Sequence, residues 1–348
     1  MPLHALSVDL AERSYPVLVG PGARHEVGRF LPPGAQSAVI VTQEAIKDAG
    51  WVDGLRPGVP TETFVIPDGE DAKTLGTVET LARHFARAGL SRADVVIAVG
   101  GGIVTDVAGF AAASYHRGTA YVNVATTLLA QVDAAIGGKT GVNLTEGKNL
   151  LGAFWQPNAV LCDTETLATL PPREWASGRG ELAKYAFLGD APTADQPVEE
   201  QVARCVAIKA AMVTDDEREG GRRMLLNYGH TLGHALEGAA LADHHEWDLR
   251  HGEAVAVGLL FAALLARRLG RIDEDRVAEH RRVLASFDLP SDLPRDAEAE
   301  ELVSFMGRDK KAQHDLAFVL DGPDGVELVR GVAVSDVVTT LADMGASR

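Results

Sequence analysis

Cysteine is nearly absent: the 348 residues include two, Cys162 and Cys205. That excludes a disulfide framework and a thiolate metal site. Both lie in apolar stretches, AVLCDT and VARCVAI, which reads as buried thiols in a reducing cytoplasm. No apolar run reaches the roughly 18 residues of a membrane-spanning helix, and the longest candidate, Ala254 to Ala266, is too short. The opening MPLHALSVDLAERSYPV lacks the basic start and apolar core of a signal peptide, so a cytoplasmic location is expected. Positive charge is outnumbered, with 33 Lys and Arg against 49 Asp and Glu and a formal net charge of −16. This argues against nonspecific binding to nucleic acid or to an anionic membrane, but it leaves room for one local basic pocket. Internal repeats and long low-complexity linkers are also missing.

What is present is a change of pattern near TLPPRE. Before it, β-rich runs at Ser37–Thr42, Glu62–Ile66, Asp94–Val99, Thr119–Val124 and Ala159–Cys162 alternate with helical stretches such as Lys73–Ala88. That alternation predicts an open α/β sheet with parallel strands. After it, helical periodicity dominates, over Val198–Asp216, Leu226–Ala240, Glu253–Leu269 and Asp273–Phe287. A late pair, Asp315–Leu320 and Gly325–Val329, reads as a hairpin. The expected division is an α/β domain over 1–172 and a mainly helical domain over 173–348, with a site in the cleft between them.

Five of the 11 histidines fall in LNYGHTLGHALEGAALADHHEWDLRHGE. His230 and His234 are one helical turn apart on one face, and His251 opens the next apolar helical segment. Glu181, in GRGELAKYAF, shares a helical face with Lys184, for which a surface ion pair is the ordinary reading. The functional reading makes Glu181 the carboxylate of a Glu/His/His set with His230 and His251, a donor set that suits Zn²⁺ with an open position. His234 then serves as proton shuttle or substrate contact. His244 and His245 are rival ligands, although their polar setting LADHHEWD reads as an exposed loop.

DVVIAVGGGIVTDVAGF runs a buried strand through three glycines into a helix whose first turn carries Asp106. Glycines there admit a pyrophosphate at the helix N-terminus, or make only a tight turn. VDAAIGGKTGVNLTEGKN is not a P-loop, because Asp133 stands where the first glycine of that motif belongs. It leaves Lys139 and Lys148 in glycine-rich loops beside Asn143 and Asn149, suited to a phosphate or carboxylate or simply to solvent. Lys209 interrupts an apolar helical run, and Arg117, Arg223 and Lys310 (in DKK) add further cations. So many cations in the motif-like segments of an acidic chain point to a small substrate with more than one negative charge.

In their joint order these segments, from IPDGEDAK through GGGIVTDVAGFAAASYHRG, TTLLAQVDAAIGGKTGVNLTEGKN, TLPPRE, GELAKY, LNYGHTLGHALE and HGEAV to DKK, resemble the 3-dehydroquinate synthase family. The resemblance implies a Rossmann-like NAD domain followed by a helical metal- and substrate-binding domain. It also implies NAD and a divalent metal, Zn or Co, as cofactors, and a homodimer. The implied reaction converts 3-deoxy-D-arabino-heptulosonate 7-phosphate to 3-dehydroquinate and phosphate, a step of aromatic amino acid biosynthesis. Residue by residue, it implies metal ligands at Glu181, His230 and His251, and catalytic contacts at Asp133, Lys184, Lys209, Arg223, Asn227 and His234. It implies substrate contacts at Arg117 (reaching a neighbouring subunit's phosphate), Lys139, Lys148, Asn149 and Lys310. NAD contacts are implied at Glu70, Lys73, Gly101, Gly102, Asp106, Thr126, Thr127 and Thr169.

Departures from the family pattern are Thr105 for glycine, Ala125 for proline, and Ala134 and Ala135 for serines; they imply altered packing around NAD. The Lys184–Lys209 segment is shorter than usual and the His234–His251 connection longer. The rival readings are a sugar-phosphate cyclase of secondary metabolism, a metal-dependent polyol dehydrogenase and a non-catalytic NAD-binding protein. Retention of Arg223, Asn227 and the DKK run favours the dehydroquinate reaction over its cyclase relatives.

Overall fold

The computed structural model describes residues 3–189, 192–242, 245, 247–307 and 315–347. They form two compact units, Met1–Pro171 with Pro197–Arg218, and Pro172–Gln196 with Glu219–Arg348. The helix Val198–Asp215 therefore belongs by its contacts to the first unit, although it follows the proline junction in the chain.

In the first unit the strands are β1 (His4–Val8), β2 (Tyr15–Gly20), β3 (Ala38–Gln43), β4 (Thr61–Ile66), β5 (Val95–Gly100), β6 (Ala120–Ala125), β7 (Lys139–Leu144), β8 (Gly147–Phe154) and β9 (Ala159–Asp163). Seven of them make one sheet in the order β1-β2-β9-β6-β5-β3-β4, parallel except for the β1–β2 pair. The five expected strands are present within a residue or so. The two N-terminal strands were not anticipated. Every residue of β5, VVIAVG, is buried, as a central parallel strand covered on both faces requires. Helix Leu75–Arg87 buries Val78, Leu81 and Phe85, and Thr74 caps it by accepting the Thr77 N–H. The strand order reverses between β3 and β5, and in such sheets the crevice beyond the strand ends at that point takes the ligand. The three glycines Gly100–Gly102 stand at the end of β5, at this position.

One local expectation is corrected. Lys139 and Lys148 do not lie in open loops: β7 and β8 pair antiparallel as a two-stranded ribbon. One of the glycines that suggested a loop, Gly141, serves close backbone contact instead, since a Cβ there would lie 2.8 Å from the Leu151 carbonyl oxygen.

The second unit packs helices Pro172–Tyr185, His230–Leu241, His251–Arg268, Glu274–Ser286, Ala299–Gly307 and Val334–Asp343 with a hairpin of β10 (Asp315–Leu320) and β11 (Glu327–Ala333). The helix expected from Leu226 begins only at His230. A 3₁₀ turn covers Arg222–Asn227, and Gly229 at φ +79° breaks the run before the helix starts. Helix His251–Arg268 is buried along almost its whole length, from Gly252 to Ala266. Among the described residues no helix is long and apolar enough to cross a membrane. Neither cysteine is in a disulfide, and both are buried.

Asp94 fastens the start of β5 to the entry of β3. Its Oδ1 accepts the Gln36 and Ser37 N–H groups at 2.8 and 2.9 Å, and its Oδ2 accepts the Ser91 N–H at 2.7 Å. Burial would raise this carboxyl's pKa, but the hydrogen bonds prevail and lower it to about 2. A depressed carboxyl adds stability above its unfolded pKa and loses it as pH falls through the folded value. Asp94→Asn is thus expected to cost about 2 kcal/mol at neutral pH and progressively less between pH 4 and 2. Urea midpoints measured across that range check this; a pH-independent loss would contradict it.

Candidate functional site

In the second unit, helix–helix contact is made backbone to backbone. A Cβ on Gly180 would sit 2.1 Å from the Gly252 carbonyl oxygen, and one on Gly252 would sit 1.8 Å from that of Ser177. A Cβ on Gly258 would lie 1.9 Å from the carbonyl oxygen of Gly229. These glycines flank the candidate ligands in sequence: Gly180 precedes Glu181, Gly229 precedes His230 and Gly252 follows His251. Three helices are thereby drawn together where those side chains project.

The result is a tight Glu/His/His cluster. Glu181 Oε1 is 3.3 Å from His230 Nε2 and 3.3 Å from His251 Nε2. Candidate ligand atoms of the three residues all lie within 4.8 Å of one another. Glu181 is 0% exposed, and its Oε2 meets the ammonium of Lys184, itself 1% exposed. The Glu181–Lys184 pair, whose ordinary reading was a surface ion pair, is therefore interior. Among the described residues, neither Glu181 oxygen accepts a hydrogen bond of ordinary geometry. A buried carboxylate in that state, facing two imidazole nitrogens, fits a divalent cation in borderline-soft coordination. Burial opposes ionisation of Glu181, but Lys184 and His230 outweigh it and hold the carboxyl well below its usual range. Burial would also lower the His251 pKa, yet the facing carboxylates of Glu181 and Glu237 outweigh it and raise it to about 10. An ion entering here displaces a proton.

His234 stands one turn beyond His230, exposed, with ring centroids 5.3 Å from His230 and 6.1 Å from His251. Arg223 is 1% exposed, and Asn227 Nδ2 donates to Glu219 Oε1 at 3.0 Å. His245 is not the exposed loop residue expected. Its side chain is only 10% exposed, stacks on Trp247 at 3.9 Å, and pairs with Asp296 and Glu301. Those partners occupy both ring nitrogens. His244 and the Asp309-Lys310-Lys311 run lie outside the described residues.

In the first unit a second cluster gathers at the ends of β5 and the β7–β8 ribbon. Lys73, 5% exposed, donates to Asp106 Oδ2 at 2.8 Å and to Asn149 Oδ1 at 2.6 Å, with Glu70 Oε1 at 3.8 Å. Asn143 ties Glu70 to Asn149: its Nδ2 donates to Glu70 Oε1 at 2.7 Å and its Oδ1 accepts the Asn149 N–H at 2.8 Å. Asn149, implied to touch substrate, is thus wired to residues implied to touch NAD. Burial raises the Asp106 pKa to about 6, against the opposing pull of Lys73.

Helix Gly102–Ser114 starts from Gly101 with no side-chain cap, and Asp106, expected in its first turn, falls beyond it, leaving no acid there. Its first N–H groups therefore point outward with the positive end of the helix dipole. Thr126 Oγ1 is buried with no hydrogen-bond partner among the described residues, while Thr127 caps Ala130 and Thr169 accepts from Trp51 Nε1. An uncapped glycine helix start beside an orphaned hydroxyl fits a dinucleotide's phosphates. The family departures are also accommodated. Thr105 bonds back to the Gly102 carbonyl at 3.1 Å, and Ala134 Cβ would be 3.3 Å from a Cβ on Gly102.

Lys209 Nζ meets Asp133 Oδ1 at 2.6 Å and the Asp133 carbonyl oxygen at 2.7 Å. Asp133 lies in a π-helical turn, Ala130–Ala134, a distortion frequent at functional sites. Lys139 and Lys148 are exposed on the ribbon. Arg117 is exposed at φ +63°, directly after His116 at φ +52°; two successive non-glycine residues in the left-handed region store strain.

Two residues at the Glu/His/His cluster and its flank were missed by sequence reasoning, Glu237 and Glu219. Glu237 had a signal, since it lies on the His230/His234 face of its helix.

Residues 63–177 match the model of the 3-dehydroquinate synthase N-terminal domain and 178–312 that of the C-terminal domain. A protein of Amycolatopsis mediterranei (strain S699) described as "Putative aminodehydroquinate synthase" is 53% identical over 341 residues, covering 97% of this chain and 93% of that one. The 3-dehydroquinate synthase of Geobacter metallireducens (strain ATCC 53774 / DSM 7210 / GS-15) is 42% identical over 359 residues, covering 97% and 98%. Among solved structures, 2-deoxy-scyllo-inosose synthase complexed with carbaglucose-6-phosphate, NAD⁺ and Co²⁺ superposes with a TM-score of 0.88 at 26% identity, covering 98% of this chain and 100% of that one.

Gly252→Ala is expected to destabilise the chain by roughly 1–3 kcal/mol or more, because the methyl meets backbone that has nowhere to go. Gly307→Ala, where a Cβ would meet nothing within 4 Å, should be near neutral. Equal urea midpoints for the two variants would refute the backbone contact.

Proposed function

We propose, from the premise that the chain belongs to the 3-dehydroquinate synthase family, that it cyclises 3-deoxy-D-arabino-heptulosonate 7-phosphate to 3-dehydroquinate with release of phosphate. The observation that carries this reading is the buried Glu181 carboxylate held between two imidazoles and Lys184. A merely structural core has no use for such an arrangement, because burying these charges without a ligand is costly. The cation set adds support: Lys184, Lys209 and Arg223, buried in an acidic chain, are side chains that an anionic substrate would call for.

When bound, NAD would take and return a hydride at a substrate carbinol carbon, and a divalent ion would act there as Lewis acid. Glu181, His230 and His251 would hold the ion; Gly101, Gly102, Asp106, Lys73, Glu70, Thr126, Thr127 and Thr169 would hold the nucleotide. Lys184 balances the Glu181 charge, and its ammonium can hydrogen-bond a substrate hydroxyl. Lys209, oriented by Asp133, presents a second fixed cation. Arg223 offers the forked donor geometry that a carboxylate accepts, with Asn227 beside it in the same 3₁₀ turn. Lys139, Lys148, Asn149 and Lys310 are assigned to the substrate's phosphate end, with Arg117 contributed by the partner of a homodimer. His234, exposed next to the cluster, is suited to move a proton between substrate and solvent. Catalysis on this reading is chiefly positioning and electrostatics around one bound sugar phosphate.

A second reading differs in one substituent. The 53% identical relative carries the name aminodehydroquinate synthase, against 42% for the dehydroquinate synthase above. That gap favours a substrate in which an amino group replaces one hydroxyl, cyclised by the same residues.

Phosphate release assayed with the heptulosonate phosphate, its amino-substituted counterpart and glucose 6-phosphate separates the readings. Turnover of the first supports the proposal, preference for the second supports the alternative, and turnover of glucose 6-phosphate alone would sink both. Stoichiometric accumulation of NADH would indicate a dehydrogenase instead. Lys139→Ala should weaken binding of the phosphorylated substrate far more than binding of NAD, as read by calorimetry; equal losses would count against its role.

A further inference from the structure

The helix His230–Leu241 brings a second carboxylate to the metal cluster. Glu237 lies seven residues after His230 and three after His234, so the three share one helical face. Its side chain is 12% exposed, and its Oε2 is 3.2 Å from His251 Nδ1. The two ring nitrogens of His251 thus face different carboxylates, Nε2 toward Glu181 at 3.3 Å and Nδ1 toward Glu237.

His230 is held by a parallel device with a different acceptor. Its Nδ1 is 3.1 Å from the Tyr228 carbonyl oxygen, and its Nε2 faces Glu181. A carbonyl oxygen can only accept, so Nδ1 of His230 carries a proton and leaves Nε2 to offer its lone pair once an ion is present. Glu237 imposes the same tautomer on His251. It differs in bringing a charge, which makes the imidazole a stronger donor to a cation.

Resting on the reading that Glu181, His230 and His251 hold a divalent ion, we infer that Glu237 is a positioning residue. It fixes the tautomer and ring plane of His251, and so tightens the grip on the ion, without being a ligand itself. A second ion held by His234, Glu237 and His251 is the competing use, because their ligand atoms also lie within 4.8 Å of one another. It would need a lone pair on His251 Nδ1 while Nε2 serves the first ion. The ring would then have to lose its last proton, which a neighbouring carboxylate opposes.

The test uses full-length protein. Zinc dissociation constants are measured by chelator competition, ion content by elemental analysis, and the visible spectrum is recorded after loading with Co²⁺. Glu237→Ala is expected to weaken zinc binding by roughly 10–100-fold and to shift the cobalt bands, with one ion per chain before and after. Glu237→Gln, which keeps an accepting oxygen, should recover part of the affinity. Unchanged affinity and spectrum in Glu237→Ala would overturn the inference, as would a drop from two ions to one. Should the alanine variant fail to fold, the glutamine variant decides: affinity and cobalt spectrum both equal to the parent protein's would overturn the inference, and a smaller but measurable loss would uphold it. His230→Ala separates the two levels of argument. If it binds zinc as well as the parent protein, the metal reading itself fails, and the role of Glu237 falls with it.

Discussion

Backbone contact among three helices is the constraint from which the second unit's chemistry follows. At Gly180, Gly252, Gly229 and Gly258 the missing side chains let one helix backbone rest on another. Each candidate ligand is a chain neighbour of one of these contacts, so the positions of Glu181, His230 and His251 inherit the rigidity of the packed backbone rather than that of long side chains. Close packing of this kind has little tolerance, since a single methyl has no space to occupy. The Glu181 carboxylate can then be buried beside Lys184 and two imidazoles with little reorganisation available to it, the condition under which fixed charges act most strongly on a bound ion or substrate.

The first unit solves a different problem by different means. Its sheet is a parallel α/β sheet whose strand order reverses beside β5, and the uncapped start of helix Gly102–Ser114 stands there. Around it Lys73, Asp106, Asn143, Asn149 and Glu70 form one hydrogen-bonded set. Lys73 is the hub. Its burial would be unfavourable alone, and the same ammonium restrains an Asp106 whose burial pushes it toward neutrality. The β7–β8 ribbon brings Asn149 into this set at φ +55°, so a residue type tolerant of the left-handed region serves both backbone and network.

An acidic chain with buried cations reconciles two facts that looked opposed. The surplus of acids sets the long-range field of the chain. Lys73, Lys184, Lys209 and Arg223 act locally, each at 5% exposure or less; for the three lysines a carboxylate stands within ion-pair distance. Net charge and site charge are therefore separate properties of this protein, and only the second speaks to the substrate.

Much of this was legible in the residue order. Hydrophobic patterning located five of the sheet's seven strands and most long helices, because burial on sheet faces or on one helix face leaves its mark on the residue order. Motif order identified the family, and the i, i+4 histidines marked the cluster. What the sequence could not disclose were facts of long-range approach. The β7–β8 pairing was hidden because glycines signal loops as readily as close backbone contact. The helix break at Gly229 was hidden because Leu226–Ala240 has helical periodicity throughout. His245 read as exposed because its partners, Asp296 and Glu301, lie far along the chain. Glu237 was visible on the right helical face, yet its partner His251 sits across a connection whose length gives no geometry. Local order thus determined the elements and the chemistry available to them. Only tertiary packing decided which donor faces which acceptor, because hydrogen bonds and ion pairs depend on distances of a few tenths of an ångström that no spacing in sequence specifies.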